Sequence, residues 1–175
     1  MAELLTVGHG RLDASSFGAL LRDASVELLV DVRRFPGSRA NPAVSRDALP
    51  AWLPDAGVAY RWEEPLGGRR KLSTDDTQDP WWQVDAFRAY AAHTRTPDFL
   101  EALGGVLAEA ERHRVAVMCS ESVWWRCHRR VIADVAALGH GLTVRHLMHD
   151  GRLTEHTPSD GARLREDGLV VWDVV

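Results

Sequence analysis

The side chains of this chain that could do chemistry gather in one stretch, Cys119-Ser120-Glu121-Ser122-Val123-Trp124-Trp125-Arg126-Cys127-His128-Arg129-Arg130. Glu121 directly follows the apolar run Val115 to Met118. A carboxylate so placed can be a general acid, base or nucleophile if burial raises its pKa, or simply a favourable charge at a helix start. Cys127 lies at helical spacing with Val131, Val135 and Leu138. That reads as a core stripe, or as a thiolate stabilised by nearby arginines. Cys119 ends a strand and could belong to site or core. His128 shares a face with Ile132 and Ala136, so it is a half-buried ring or a proton-transfer group.

Two further clusters have the same character. His9 stands between Gly8 and Gly10, and glycines let a ligand approach the backbone closely. Asp31 ends an apolar run and precedes Arg33. It is a second carboxylate for catalysis, or a salt-bridge partner for Arg33 or Arg129. Arginine forks bind phosphate and carboxylate in bidentate fashion, and Arg33 and Arg129 are the best placed to do so. Trp81-Trp82 and Trp124-Trp125 either pack a core or stack on a base. His93, His113, His140, His149 and His156 read as surface or loop residues.

No metal site is assigned. Cys119, Cys127 and His128, with His9 as a fourth ligand, form the one zinc alternative, but they lack the close pairing of structural zinc ligands. Cofactor signatures are absent too: there is no Walker loop, no complete dinucleotide fingerprint and no G-x-S-x-G elbow.

The elements that must position these groups alternate. Leu4 to Val7 predicts a strand, and Asp13 caps a helix with Phe17, Leu20 and Leu21 inward. Glu27 to Arg33 predicts a strand buried on both faces. Ser45 opens a short helix closed by Gly57, and Val58 to Trp62 is a third strand. A polar loop, 65–80, contains Gly67-Gly68. Asp79-Pro80 signals a helix running to about His93, and Thr96-Pro97 signals another. Val115 to Met118 is a strand, Val123 to Leu138 a helix closed by Gly139, and Thr143 to Leu147 a strand. One or two edge strands complete the chain, through Trp172.

This order predicts a single α/β domain over 1–175, a sandwich with a mostly parallel central sheet and helices on both faces. Ligands of such sheets sit at the carboxyl ends of the strands. Gly8-His9-Gly10, Asp31 to Arg34, the Glu63-to-Gly68 segment and Cys119 to Glu121 should therefore share one rim.

Composition bounds the rest. The 175 residues are 45% apolar and 26% charged, with a net charge of −4. That is an ordinary soluble domain, and the acidic balance disfavours broad nucleic-acid binding. No apolar run reaches the roughly 18–20 residues of a membrane span. The N-terminal segment reads as a strand rather than a signal peptide. Two cysteines are few for a secreted disulfide scaffold, so a cytoplasmic location with free thiols is expected.

The motifs together resemble the domain-of-unknown-function family numbered 488. They are Thr6-Val7-Gly8-His9-Gly10, Asp31-Val32-Arg33 with Pro36-Gly37-Ser38, Tyr60, Leu66-Gly67-Gly68, Phe87 with Tyr90, Met118-Cys119-Ser120-Glu121 and Cys127-His128-Arg129. The resemblance spans about 4–147 and leaves 148–175 as a strand extension. It implies the family's α/β fold and a site at these positions, with Tyr60, Gly67 and Gly68 joining Arg33 and Arg129 around a substrate. It implies no reaction. The family usually has a proline between the Glu and the Cys-His-Arg motif; here that stretch is Ser122 to Arg126.

Three functions fit these residues. The first is an enzyme, a hydrolase or transferase, acting on a small anionic or phosphate-bearing, nucleotide-like molecule. Arg33 and Arg129 would hold the anion, Glu121 would act with Asp31, and His9 or His128 would move a proton. The second is a thiol- or metal-dependent site at Cys119, Cys127 and His128. The third is a non-catalytic module for nucleotide or nucleic acid. Oligomeric state is open.

Overall fold

The structure, a computed structural model, describes residues 2–175. The apolar runs form five parallel strands: β1 (Glu3–Gly8), β2 (Leu28–Asp31), β3 (Ala59–Trp62), β4 (Val115–Cys119) and β5 (Thr143–Leu147). A sixth, β6 (Leu153–Glu155), pairs antiparallel with β5. The order across the sheet is β3-β2-β4-β1-β5-β6. β4 is central and buried along its whole length, as its unbroken apolar sequence requires. β2 and β1 flank it, with Asp31 opposite Met118 and Gly8 opposite Cys119. The carboxyl ends of the parallel strands therefore make one rim, as the alternating pattern predicts.

Helices cover both faces. On one face α1 (Ala14–Asp23) and the short α2 (Leu49–Trp52) bury Phe17, Leu20, Leu21 and Leu49 against Leu5, Val7 and Leu29. On the other, α3 (Asp85–His93), α4 (Pro97–Ala110) and α5 (Arg129–Asp134) pack Tyr90, Phe99, Leu103 and Val131 on Val30, Val115 and Val117. The caps of α1 and α4 are the predicted ones. Asp13 Oδ1 accepts the Ser16 amide at 2.8 Å, and Thr96 Oγ1 accepts that of Phe99 at 3.3 Å.

Two helix starts differ from expectation. α3 begins at Asp85, not Pro80. The Asp79 carboxylate, buried, is claimed by Arg95 (3.0 and 2.6 Å) and by the Trp172 amide (3.1 Å), so it caps no helix. The segment after Glu121 forms a 3₁₀ turn, Trp124–Arg126, then an extended Cys127, and only at Arg129 does α5 begin. α5 continues as a π-helical turn, Val135–Gly139. The C-terminal strands β7 (Ala162–Leu164) and β8 (Val170–Trp172) form a separate hairpin. Its Trp172 is fully buried and packs beside Trp82.

Candidate functional site

At the end of β2, Asp31 and Arg33 form a closed unit. Asp31 is fully buried and accepts Arg33 Nε at 2.8 Å, Arg33 Nη2 at 2.6 Å and the Tyr60 hydroxyl at 2.6 Å. Burial, then the neighbouring Asp31 carboxylate, pushes the Tyr60 phenol well above its ordinary range. Arg33 Nη2 also donates to the Val44 carbonyl, and Nη1 lies 3.4 Å from His9 Nε2. His9 is buried, with Nδ1 2.8 Å from the Gly10 carbonyl. A carbonyl only accepts, so Nδ1 carries the proton and Nε2 faces Arg33 as an acceptor. Burial, with Arg33 adding to it, lowers the His9 pKa. Of the two roles open to Asp31, the structure gives the salt bridge to Arg33, and Tyr60 is tied to the same carboxylate.

At the end of β4, Arg129 is the hub. It is 1% exposed, and each nitrogen of its guanidinium has an internal partner. Nε donates to Cys119 Sγ at 2.9 Å, Nη1 to Thr6 Oγ1 at 3.0 Å and Nη2 to the Glu121 carbonyl at 2.6 Å. Its main-chain N–H lies 3.4 Å from Cys127 Sγ. The Cys119 thiol donates to the Glu121 carbonyl at 3.6 Å, and the two sulfurs stand close enough to bias each other's ionisation. The pair does not titrate alike. Burial pushes the Cys119 thiol far up. Burial pushes Cys127 up too, but the neighbouring Cys119, the Arg129 guanidinium and the Arg129 amide outweigh it, and its pKa falls below the ordinary thiol value.

His128 stands beside them. Its Nδ1 is 3.5 Å from Cys127 Sγ and its Nε2 is 2.6 Å from the Val32 carbonyl. Burial keeps its pKa below the ordinary value. Tyr90 packs edge-on against the ring at 5.0 Å and donates its hydroxyl to the Leu66 carbonyl at 2.6 Å. The two glycines after Leu66 have a plain reason. A Cβ on Gly67 would lie 2.5 Å from the Arg34 backbone, and one on Gly68 would lie 3.1 Å from His128 Nδ1.

A cleft of about 270 Å³ opens above these groups. Cys119, Cys127 and His128 line its floor, Phe35, Phe87 and Tyr90 its apolar walls, and Arg33, Arg34, Arg69, Arg126 and Glu121 its polar part. Arg33 and Arg129, expected to hold an anion, turn their donors inward. Among the described residues, the Arg69 and Arg126 side chains carry no hydrogen bond or ion pair. Arg34 and Arg69 lie over the exposed Phe35 ring, at 5.3 and 5.9 Å from its centroid. Arg69 has φ 58°, a strained conformation for a non-glycine residue, and Arg34 Nη1 pins it by its carbonyl at 2.7 Å. Glu121 is exposed, not buried as its place directly after an apolar strand suggested. The Ser120–Glu121 ridge separates this cleft from a wider groove of about 1010 Å³ lined by His9, Asn41, Ser122 and His149.

A family model described as "Domain of unknown function DUF488" matches residues 13–136. The chain belongs to the DUF488 family. No curated protein and no solved structure matches it. The matched span holds Asp31, Arg33, Gly67, Gly68, Cys119, Glu121, Cys127, His128 and Arg129, and leaves out the Gly8-His9-Gly10 turn.

The DUF488 chain also contains polar groups that its sequence pattern did not disclose. Thr6 Oγ1 lies 2.6 Å from His146 Nδ1, His146 Nε2 2.9 Å from His156 Nδ1, and His156 Nε2 2.7 Å from Asp134 Oδ1. Asp134 also accepts the Trp172 indole N–H at 2.8 Å. Each group can donate onward and accept from behind, so one ordered chain runs from Arg129 to Asp134. His156 is thus buried rather than a surface residue. His93 and His149 are likewise held, by the Pro65 and Gly8 carbonyls, each at 2.6 Å. Two signals were present: His146 follows buried Val144 at strand spacing, and Asp134 interrupts an apolar helix. Among the described residues no three His, Cys, Asp or Glu side chains form a metal-holding group. No helix among them is long and apolar enough to cross a membrane.

Proposed function

We propose that this DUF488 chain is an enzyme, a hydrolase or transferase, that binds a small anionic, nucleotide-like molecule in the arginine-rimmed cleft. One observation carries the reading: Arg69 and Arg126 reach the mouth of a cleft with aromatic walls without an internal carboxylate to neutralise them. Arginines left unpaired beside apolar walls suit a ligand with an anionic group and a flat apolar part. Arg33 contributes from below through the Nη1 hydrogen not directed at His9. Arg129 acts through others, by fixing the Glu121 carbonyl and both sulfurs. Glu121, at the lip, exchanges a proton with water or the leaving group, and its exposure lets it reload from solvent.

Titration calorimetry at low ionic strength, with a panel of nucleotides, inorganic phosphate and pyrophosphate, tests the reading. Removing one charge-assisted contact costs about 1.5–3 kcal/mol, so Arg69→Ala and Arg126→Ala should each weaken binding by roughly ten- to a hundredfold. Glu121→Gln should bind normally and turn over about 10²–10⁴-fold more slowly. Full turnover in Glu121→Gln would remove Glu121 from the mechanism. Binding with no turnover of any panel member would favour a sensor module, and no binding at all would end the proposal.

A further inference from the structure

The cleft floor contains a nucleophile with its base already in place. We propose that Cys127 is that nucleophile and that His128 Nδ1 takes its proton, a step that rests on the cleft receiving an anionic electrophile as argued above.

The backbone makes the pairing. Successive residues in a helix point about 100° apart, so adjacent side chains do not face one another. Cys127 is not helical: φ −129° and ψ 155° put it in an extended conformation before α5 starts. This bend brings Sγ to 3.5 Å from Nδ1 of the next residue. The tautomer follows from the other side of the ring. The Val32 carbonyl, 2.6 Å from Nε2, can only accept, so Nε2 carries the hydrogen and Nδ1 turns a lone pair toward the thiol. Nucleophile, base and orienting acceptor are then Cys127, His128 and the Val32 carbonyl.

The surroundings favour the sulfur of Cys127 over that of Cys119. The Arg129 amide, 3.4 Å away, points a donor at Cys127 Sγ, whereas the Cys119 hydrogen goes to the Glu121 carbonyl. Cys119 is itself held by Arg129 Nε at 2.9 Å and remains a thiol. Tyr90, Arg70 and the Arg129 guanidinium face the two sulfurs and the ring from within the fold, and Arg33, Arg34, Arg69, Arg126 and Glu121 line the cleft above them. The Tyr90 hydroxyl is committed to Leu66, and Arg70 to the Gly67 and Glu64 carbonyls. Among the described residues no carboxylate is hydrogen-bonded to Cys127, and Glu121, which lines the same cleft, is exposed. Both sulfurs line the cleft.

The reaction balances without an oxidant or reductant. The Cys127 proton passes to Nδ1, and the sulfur forms a bond to the electrophilic carbon or phosphorus of the anion. The bond to the leaving group breaks, and the leaving group takes its electron pair and the proton from His128. Water then attacks the same centre, the thiolate departs, and the proton from water restores the starting state.

The experiment is alkylation of the native protein from about pH 6 to about pH 9, read by peptide mass spectrometry, with iodoacetamide and iodoacetate in parallel. Cys127 should react on the order of tenfold faster than Cys119 near neutral pH, with a midpoint below that of a free thiol at about 8.5. Iodoacetate, an anion, should outpace neutral iodoacetamide, the reverse of their order on an exposed thiol. His128→Gln should slow Cys127 on the order of tenfold near neutral pH, and the rate should recover once hydroxide removes the proton directly. The wild-type profile decides by itself if that variant does not fold. Cys119 reacting first, equal rates with a midpoint at or above the free-thiol value, or no reaction at either sulfur would each overturn the assignment. A fast Cys127 with no iodoacetate preference would instead leave the nucleophile standing and count against the anion cleft.

Discussion

A single carbonyl, that of Glu121, fixes much of the rim. It accepts Arg129 Nη2 and the Cys119 thiol, and it crosses so close to β1 that a Cβ on Gly8 would lie 1.6 Å from it and 2.8 Å from Arg129 Nη2. Backbone cannot yield as a flexible side chain can, so Gly8→Ala should destabilise the fold by about 3 kcal/mol or more. Gly104 is the control. It lies in α4, exposed, with nothing within 4 Å of its missing Cβ. Gly104→Ala should therefore stabilise by about 0.5–1 kcal/mol. Urea unfolding of the two variants checks both signs, and equal effects would mean that the backbone at the Gly8 crossing can move aside. The same residues show what could be read from the sequence. Gly8, Gly67 and Gly68 pointed to a ligand's close approach, but the sequence does not say what comes close, and the neighbours are the Glu121 and Arg34 backbones and the His128 ring. The direction of Arg33 and Arg129 was not legible. A guanidinium on a long stem reaches inward or outward from the same position, and here, among the described residues, the cleft arginines whose side chains have no internal partner are Arg69 and Arg126.

The order of the elements was the most legible layer, because continuous apolar runs and Asp/Thr caps report burial and helix starts directly. The failures lie where a capping residue has a stronger partner far along the chain. Asp79 precedes Pro80 as an N-cap would, yet it holds Arg95 and the Trp172 amide, 93 positions away, and so anchors the C-terminal hairpin. β8 is therefore tied into the main fold, although it lies outside the matched family span: Trp172 bonds Asp134, at the end of the buried relay. Asp79→Ala would leave Arg95, 10% exposed, without its counter-charge. Removing one partner of such a pair costs about 3–5 kcal/mol. The chemical-denaturation midpoint should fall accordingly, and the Trp172 main-chain N–H, which Asp79 accepts, should gain hydrogen exchange. A loss under about 1 kcal/mol would mark the pair as no stronger than a surface ion pair. The delayed start of α5 has a related cause. Arg129 bonds the Glu121 carbonyl, which ties the loop down before a helix can begin and leaves Cys127 extended.

For the molecule as a whole, the hydrogen-bonded chain from Arg129 to Asp134 sets a pH response. It joins a buried cation to a buried anion through two imidazole rings, and burial, then His156 and Arg129, pushes His146 down to about 3. Burial lowers His9, His93, His128 and His140 as well. An unfolded histidine titrates near 6.5. Above that value neither state holds the protons and stability is full. As the pH falls below about 6.5 the unfolded chain takes up protons that the folded chain refuses, so stability declines, for His146 down to its folded value near 3. Each such ring contributes a slope of up to about 1.4 kcal/mol per pH unit within its own window. The surface carboxylates with lowered values, exposed Asp167 and half-buried Asp173 among them, act only in the lower carboxylate range and leave the first decline to histidine. The urea midpoint should thus be level between about pH 8 and 7 and fall steadily below about 6.5. In His146→Gln, which keeps an acceptor and a donor but cannot titrate, the slope between about pH 6 and 5 should be shallower by roughly one proton, near 1.4 kcal/mol per unit. A wild-type midpoint level down to pH ~5 would mean that the buried rings take up protons within the fold, and that the relay tolerates a second positive charge beside Arg129.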